Sequence, residues 1–126
     1  MMRLLLDTQI VYWLFYEPNN LSREARERIV AADAVFVSSV ALWEIAIKVR
    51  IGKLNADPKQ LVQLLETAGF HELPVFSRHA ILVADLPLHH TDPFDRLLVA
   101  QAVREPLILL TADAQLVKYG PRVLLV

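Results

Sequence analysis

The chain has 126 residues, of which 55% are hydrophobic and 21% charged, and it contains no cysteine. This length suits one domain that buries roughly two thirds of its unfolded surface, and the composition excludes disordered, collagen-like and disulfide-framed proteins as well as thiolate zinc sites. The formal net charge of −1 argues against charge-driven coating of nucleic acid, but it leaves room for a local site where a metal ion meets phosphate.

Apolar runs alternate with helical patterns along the chain, which is typical of an α/β domain with a mainly parallel sheet. The first half is predicted to form a strand at 3–6, a helix at 8–15, a helix capped by Ser22 that reaches about residue 32, a strand at 34–37, and a helix capped by Ser39 that runs to 51 before Gly52. The second half is predicted to begin with a helix capped by Asp57 that stops at Gly69, a strand at 72–75 and a helix capped by Ser77 that reaches 86. A loop at 87–91 and a helix between Asp92-Pro93 and Glu105-Pro106 follow. The chain is then predicted to form a strand at 107–110, a short helix at 113–118 and a strand at 123–126. We expect one domain over residues 1–126, a three-layer α/β/α sandwich.

Membrane association is not expected. The longest unbroken apolar run covers residues 10–15, far short of the roughly 18 residues that a membrane span needs. An acid already stands at Asp7, so the N-terminal segment does not resemble a secretory signal. Together with the lack of cysteine, these features predict a cytoplasmic protein.

Polar residues follow several of the predicted strands. Asp7 follows the first strand, Ser38 and Ser39 follow the second, and Thr111 and Asp113 follow the strand at 107–110. In open parallel sheets, ligands bind outside the carboxyl ends of the strands, so Asp7 and Asp113 converge there if their strands are neighbours. Each residue alone is explained as a helix cap, but two acid-ended turns together favour a site.

Glu44 stands in a helix whose apolar residues cover almost its whole circumference, so the helix is predicted to be largely buried. An ion pair with Lys48, four residues on, stabilises a helix surface by only a few tenths of a kcal/mol. A buried carboxylate is costly unless it is paired or binds a cation, so Glu44 is a candidate functional residue.

The segment Asp92-Pro93-Phe94-Asp95-Arg96 contains two acids with different expected roles. Asp92 precedes a proline, which makes helix capping its simplest role. Asp95 falls in the first helical turn, where a negative charge is favourable by less than about 1 kcal/mol. From that position it can instead share a pocket with Asp7 and Glu44.

Four carboxylates in one pocket would repel each other and raise one another's pKa values, and a divalent cation reverses that effect. Mg²⁺ and Mn²⁺ prefer oxygen ligands, so the four acids indicate phosphoryl chemistry in which a bound metal activates water. Thr8, Ser39 and Thr111 are candidates for supporting hydroxyls, although each is equally well explained as a cap. His89 and His90 are interpreted as loop residues, with metal ligation as the less favoured alternative.

The spaced motifs resemble a known family. They are Leu5-Leu6-Asp7-Thr8, Trp43-Glu44-Ile45, the segment from Asp92-Pro93-Phe94-Asp95-Arg96 through Ala102, and Leu110-Thr111-Ala112-Asp113. In order and spacing, over nearly the whole chain, they resemble PIN-domain ribonucleases, and among these the VapC toxins of toxin–antitoxin pairs. The Asp-Pro-Phe-Asp-Arg segment is the most specific part.

The resemblance implies a type II toxin that is a Mg²⁺-dependent endoribonuclease, with Mn²⁺ as a substitute ion. It places the catalytic, metal-binding acids at Asp7, Glu44, Asp95 and Asp113. It also implies a homodimer and a cognate antitoxin that obstructs the site.

Basic residues near these acids are candidates for holding the phosphates of an RNA substrate without reading its sequence. They are Lys48, Arg50, Lys53 and Arg96. Ordinary solvated charge explains them equally well.

Two other functions fit parts of the pattern. A receiver-like signalling domain is also small, acidic and Mg²⁺-binding, but it needs adjacent acids after the first strand, where this chain has Asp7-Thr8-Gln9. A PIN-like module with an inactive site would bind RNA or an antitoxin without turnover, since a complete set of ligands does not establish catalysis.

Overall fold

The computed structural model describes residues 2–126. Its helices and strands follow one another in the order β1 Arg3–Leu6, α1 Thr8–Tyr16, α2 Arg23–Ala31, β2 Ala34–Ser38, α3 Ser39–Arg50, α4 Pro58–Thr67, β3 His71–Leu73, α5 Ser77–Val83, α6 Pro93–Arg104, β4 Ile108–Thr111 and β5 Val123–Leu125. Short 3-10 turns cover Pro18–Asn20 and Ala114–Tyr119, the second of them where an α-helix is predicted. No helix within this part of the chain is long and apolar enough to cross a membrane.

The five strands form one parallel sheet in the order β3-β2-β1-β4-β5. Strand β1 lies at the centre, and its three leucines, Leu4, Leu5 and Leu6, are fully buried. A parallel strand covered on both faces is expected to be a continuous apolar run. The predicted parallel α/β architecture is therefore confirmed.

Successive side chains of a strand point to opposite faces of the sheet, which produces two separate cores. Leu4 and Leu6 belong to the core that includes residues of α1, α2, α3 and α4. Leu5 belongs to the core that includes residues of α3, α6 and the 3-10 turn Ala114–Tyr119. The sheet is thus the middle layer of the predicted sandwich.

Two predicted details, the cap of α3 and the bounds of β3, are corrected by local contacts. Helix α3 is capped by Ser38, whose Oγ accepts the Val40 N–H at 3.1 Å, so Ser39 is the first helical residue and not the cap. Strand β3 pairs with β2 at residues 71–73 and ends before Pro74, which has no N–H to donate, instead of covering 72–75.

The beginning and end of α5 also differ from the prediction. The residue before the helix is Phe76, and its N–H donates to Nδ1 of His79 at 3.0 Å, so Ser77 is not the cap. The helix ends at Val83 and not at residue 86. The fully buried His79 therefore holds the residue before the helix by its backbone N–H, and no side chain among the described residues caps α5.

The strand order determines where a ligand site can form. From β1 the chain moves outward through β2 to β3 and then returns to the other side of β1 as β4. Open sheets bind ligands in the crevice at such a reversal, outside the carboxyl ends of the two strands. The crevice between β1 and β4 is the expected site. Receiver-like folds have the order 2-1-3-4-5, so the observed topology does not support that alternative.

Candidate active site

A cavity of about 290 Å³ lies at the carboxyl ends of β1 and β4. It is lined by Asp7, Thr8, Gln9, Trp13, Glu44, Lys48, Asp92, Asp95, Ala112 and Asp113. Five of these residues carry a carboxyl group and one carries an ammonium group. The cavity therefore has the charge expected of a cation site and not of an anion site.

Asp7 directly follows β1 and caps α1. Its Oδ1 accepts the Thr8 N–H at 2.7 Å, and its Oδ2 accepts the hydroxyl of Thr111, at the end of β4, at 2.6 Å. Only 5% of Asp7 is exposed. The beginning of α1 and the end of β4 therefore each hold one oxygen of this carboxylate.

Glu44 reaches the cavity from α3 and is 6% exposed. Its Oε2 lies 2.9 Å from Nζ of Lys48, so the ion pair considered from the sequence is present. Its Oε1 is buried without a hydrogen-bond partner among the described residues, as is Oγ1 of Thr8. Buried oxygens without a donor are costly, and a cation would satisfy both.

Asp92 and Asp95 enter the cavity from the beginning of α6. Asp92 caps this helix as predicted, since its Oδ1 accepts the N–H groups of Phe94 at 2.8 Å and Asp95 at 3.1 Å. Capping by Asp92 holds the first turn so that Asp95 lines the same cavity as Asp7. Asp92 therefore shapes the turn, and Asp95 presents its carboxylate to the cavity.

Asp113 enters from the turn after β4. Its backbone N–H donates to Oγ1 of Thr111 at 3.0 Å, and its Oδ1 accepts the Gln115 N–H at 2.9 Å. Because the same Thr111 hydroxyl donates to Asp7, it links the turns that follow β1 and β4.

Two of the predicted acids, Asp7 and Asp95, have raised pKa values, and burial is the largest cause for both. Burial raises the pKa of Asp7 to about 6, against the lowering effect of its hydrogen bonds from Thr111 and Thr8. Burial, and then the surrounding carboxylates with Asp7 first, raise the pKa of Asp95 to about 8. Burial, the largest single effect, lowers the pKa of Lys48, but the hydrogen bond to Glu44 and the charges of Glu44, Asp92 and Asp95 together outweigh it, so that the pKa is raised.

The sequence was compared with known families and proteins. The profile of the PIN domain matches residues 4–120. The chain belongs to the PIN domain family. It is 31% identical to Ribonuclease VapC22 of Mycobacterium tuberculosis over 123 residues, which cover 92% of this chain and 91% of that protein. The resemblance to this family found in the sequence is therefore confirmed.

Solved structures with this fold include toxin–antitoxin assemblies. A toxin–antitoxin complex from Klebsiella pneumoniae has a TM-score of 0.69 and 20% identity, with 95% of this chain and 94% of that chain covered. VapBC2 from Rickettsia felis, bound to a DNA fragment from their promoter, has a TM-score of 0.65 and 17% identity, with 98% and 97% covered. At these identities the likeness concerns the PIN fold.

The PIN fold brings together the four acids that the sequence singles out. Asp7, Glu44, Asp95 and Asp113 line one cavity although they are dispersed over the chain. Thr8 and Lys48 also line it, and Thr111, the last residue of β4, donates a hydrogen bond to Asp7. Their catalytic and metal-binding roles stay predictions.

Four other predicted residues lie elsewhere in this PIN domain. Ser39 lines a separate depression beside Trp43 and is not part of the lining of the acidic cavity. Arg50 and Lys53 are exposed beyond the cavity lining, at and after the end of α3. Arg96 donates to the carbonyl oxygens of Val83, Leu86 and Pro87 and to the Tyr119 hydroxyl. Its guanidinium group is therefore engaged in bracing a loop and is not directed at a substrate phosphate.

Sequence reasoning missed two residues at this site. Trp13 lines the cavity, and the sequence signals only that it belongs to an aromatic helix. His90, interpreted as a loop residue, has Nε2 at 3.2 Å from Oδ2 of Asp113 and at 3.5 Å from Oδ2 of Asp95. Its position two residues before the cap Asp92 is a signal that was available in the sequence.

Proposed function

We propose that this PIN domain is a metal-dependent endoribonuclease and acts as the toxin of a type II toxin–antitoxin pair. The observation that carries the proposal is the single cavity in which Asp7, Glu44, Asp95 and Asp113 meet at the reversal of strand order. The 31% identity to a protein named as a ribonuclease, over nearly the whole chain, supports the same activity.

The residues present fit a hard divalent cation. The donor set consists of oxygens, and Glu44 Oε1 and Thr8 Oγ1 are buried without partners at its edge. We propose that Asp7, Glu44, Asp95 and Asp113 hold Mg²⁺, with Mn²⁺ as a substitute, since both ions prefer oxygen ligands. Such an ion, when bound, supplies positive charge to the phosphate and lowers the pKa of water.

The chain's own residues then bind and orient the RNA. Lys48 Nζ, already in the cavity, is the protein cation nearest to an incoming phosphate and fixes it as a point charge. Arg50 and Lys53 are proposed to hold flanking phosphates outside the cavity, where they are exposed. Asp95, whose pKa is about 8, holds a proton near neutral pH until a cation displaces it.

The activity is tested by incubating purified protein with RNA and Mg²⁺ or Mn²⁺ and mapping the cut ends. We expect cleavage by the wild type and its loss in Asp7→Asn, Glu44→Gln and Asp95→Asn. Glu66→Gln, at an exposed position on α4, is the matched acid-to-amide control and is expected to cleave normally. Full activity in all three cavity variants would overturn the assignment.

The partners follow from the same family relationship. VapC toxins pair with antitoxins, and we propose an antitoxin that obstructs the acidic cavity, a homodimeric toxin and a cytoplasmic location. Light scattering of the purified protein tests the homodimer. Co-expression with the protein encoded beside it tests the antitoxin, which is expected to co-purify and to suppress RNA cleavage.

A further inference from the structure

His90 lies against the acidic cavity without lining it. Its side chain is 16% exposed, and Nε2 lies 3.2 Å from Oδ2 of Asp113 and 3.5 Å from Oδ2 of Asp95. One imidazole nitrogen therefore faces two of the four acids, one from the beginning of α6 and one from the turn after β4. Ligand atoms of these three residues lie within 4.8 Å of one another, the spacing of a possible metal site.

The other ring nitrogen decides which role His90 has. Its Nδ1 accepts the backbone N–H of Asp92 at 3.0 Å. A nitrogen that accepts a hydrogen bond carries no proton, and in a neutral imidazole the proton is then on the other nitrogen. Nε2 of His90 is therefore a donor that is hydrogen-bonded to Oδ2 of Asp113, with Oδ2 of Asp95 at 3.5 Å, and it has no lone pair to offer a cation.

The backbone of the same residue is held by a chain of hydrogen bonds. The His90 N–H donates to the hydroxyl oxygen of Tyr119 at 3.1 Å, and Nη1 of Arg96 donates to that oxygen at 3.1 Å. Nη2 of Arg96 also donates to the carbonyl oxygen of Val83 at 2.9 Å. Arg96 and Tyr119 thus fix the loop before α6, and with it the direction of the His90 ring.

We propose that His90 is a positioning residue of the metal centre, which holds Asp113, beside Asp95, by a hydrogen bond from its Nε2–H and does not itself bind the cation. The proposal rests on the function proposed above, because it gives these two acids the metal. Partners that orient metal ligands are worth roughly 10- to 100-fold in metal affinity. Arg96, predicted to bind RNA phosphate, supports this positioning instead.

The first test concerns the tautomer. Protein labelled with ¹⁵N-histidine is studied by long-range ¹H–¹⁵N NMR, with His89→Ala to assign the neighbouring ring. We expect His90 to carry its proton on Nε2, both without metal and with saturating Mg²⁺. A proton on Nδ1, or Nε2 coordination detected by ¹⁴N electron spin-echo modulation with Mn²⁺, would overturn the proposal.

The second test measures Mn²⁺ affinity by electron paramagnetic resonance. His90→Ala is expected to weaken binding by roughly 10- to 100-fold. His90→Gln, which keeps an N–H donor of similar reach, is expected to recover most of that loss, and His89→Ala is the matched control with unchanged affinity. Wild-type affinity in His90→Ala, or a Gln variant as weak as the Ala variant, contradicts the proposal. If His90→Ala does not fold, the comparison of His90→Gln with wild type carries the test.

The two proposals fail in different ways. A wild type that binds Mn²⁺ tightly but leaves RNA intact contradicts the proposed function and leaves the positioning role standing. A wild type that cleaves RNA, together with a His90→Ala variant of unchanged Mn²⁺ affinity, contradicts the positioning role alone.

Discussion

The hydroxyl of Thr111 donates a hydrogen bond of 2.6 Å to Oδ2 of Asp7, although 104 residues separate the two in the chain. The bond joins the ends of β1 and β4, the two strands between which the sheet order reverses. Both side chains are buried, so little water competes for it.

Thr111→Val is expected to destabilise the protein by about 1–3 kcal/mol, because it removes a donor to a buried carboxylate and an acceptor for the Asp113 N–H. Thr111→Ser keeps the hydroxyl and is expected to stay closer to wild type. Urea unfolding of both variants measures the difference. Equal stability of the valine and serine variants would show that the hydroxyl contributes nothing.

The stability of the metal-free protein is expected to fall as pH rises from 5 to 8. The folded-state pKa values of Asp7, about 6, and Asp95, about 8, lie above the ordinary value of 3.8. The folded state therefore binds protons more tightly, and this stabilisation is complete below about pH 4 and lost as pH rises through the folded pKa values. The hydrogen bonds from Arg78 and His79 lower the pKa of Glu105 to about 2. The stability that Glu105 contributes is therefore lost only as pH falls below about 4.5, outside the range from pH 5 to 8.

Melting temperatures recorded in a chelating buffer between pH 5 and 8 check this dependence. Asp95→Asn is expected to flatten the profile and to raise the melting temperature at pH 8, because it removes the acid with the larger shift. A wild-type profile that rises over this range contradicts the sign.

Binding of Mn²⁺ is expected to release about one proton at pH 7 and fewer at pH 9, since the ion displaces the proton held by Asp95. Calorimetry in two buffers with different ionisation enthalpies measures the number of protons released on Mn²⁺ binding. Mn²⁺ is also expected to raise the melting temperature, because it binds the folded state alone. Proton release that persists in Asp95→Asn would assign the proton to another group.

Lys48→Met is expected to destabilise the metal-free protein by about 1 kcal/mol, since it leaves the carboxylate of Glu44 without its partner at 2.9 Å. Lys48 is partly exposed, which keeps the loss small. Mn²⁺ is expected to stabilise this variant more than wild type because it replaces the missing charge. Thermal melting with and without Mn²⁺ compares the two, and equal stabilisation argues against a shared site.

The cap of α3 gives a test of the fold itself. Ser38→Ala is expected to cost about 1 kcal/mol because Oγ of Ser38 accepts the Val40 N–H, whereas Ser39→Ala is expected to change stability little. Denaturant unfolding of the two variants measures the loss of stability that each substitution causes. The opposite ranking would restore Ser39 as the cap.

Much of the fold could be predicted because it depends on neighbours along the chain. The apolar run before Asp7 predicts β1, and the Asp-Pro pairs at Asp57 and Asp92 predict the beginnings of α4 and α6, where both acids cap as expected. Glu44 is recognised because it is a carboxylate in a helix that the pattern predicts to be buried, and Asp7 and Asp113 because they follow apolar strands.

The remaining features depend on contacts between residues that are distant in the chain. The bounds of β3 are set by pairing with β2, and the loop-bracing role of Arg96 requires the carbonyl oxygens of Val83, Leu86 and Pro87 to converge on it. The donor role of His90 requires Asp95 and Asp113 on one side of its ring. Composition, periodicity and motifs therefore determined the family, the sheet and the identity of the acids. The direction of each hydrogen bond at the site was decided only by the packed structure, because a side chain's partners are set by distance in space.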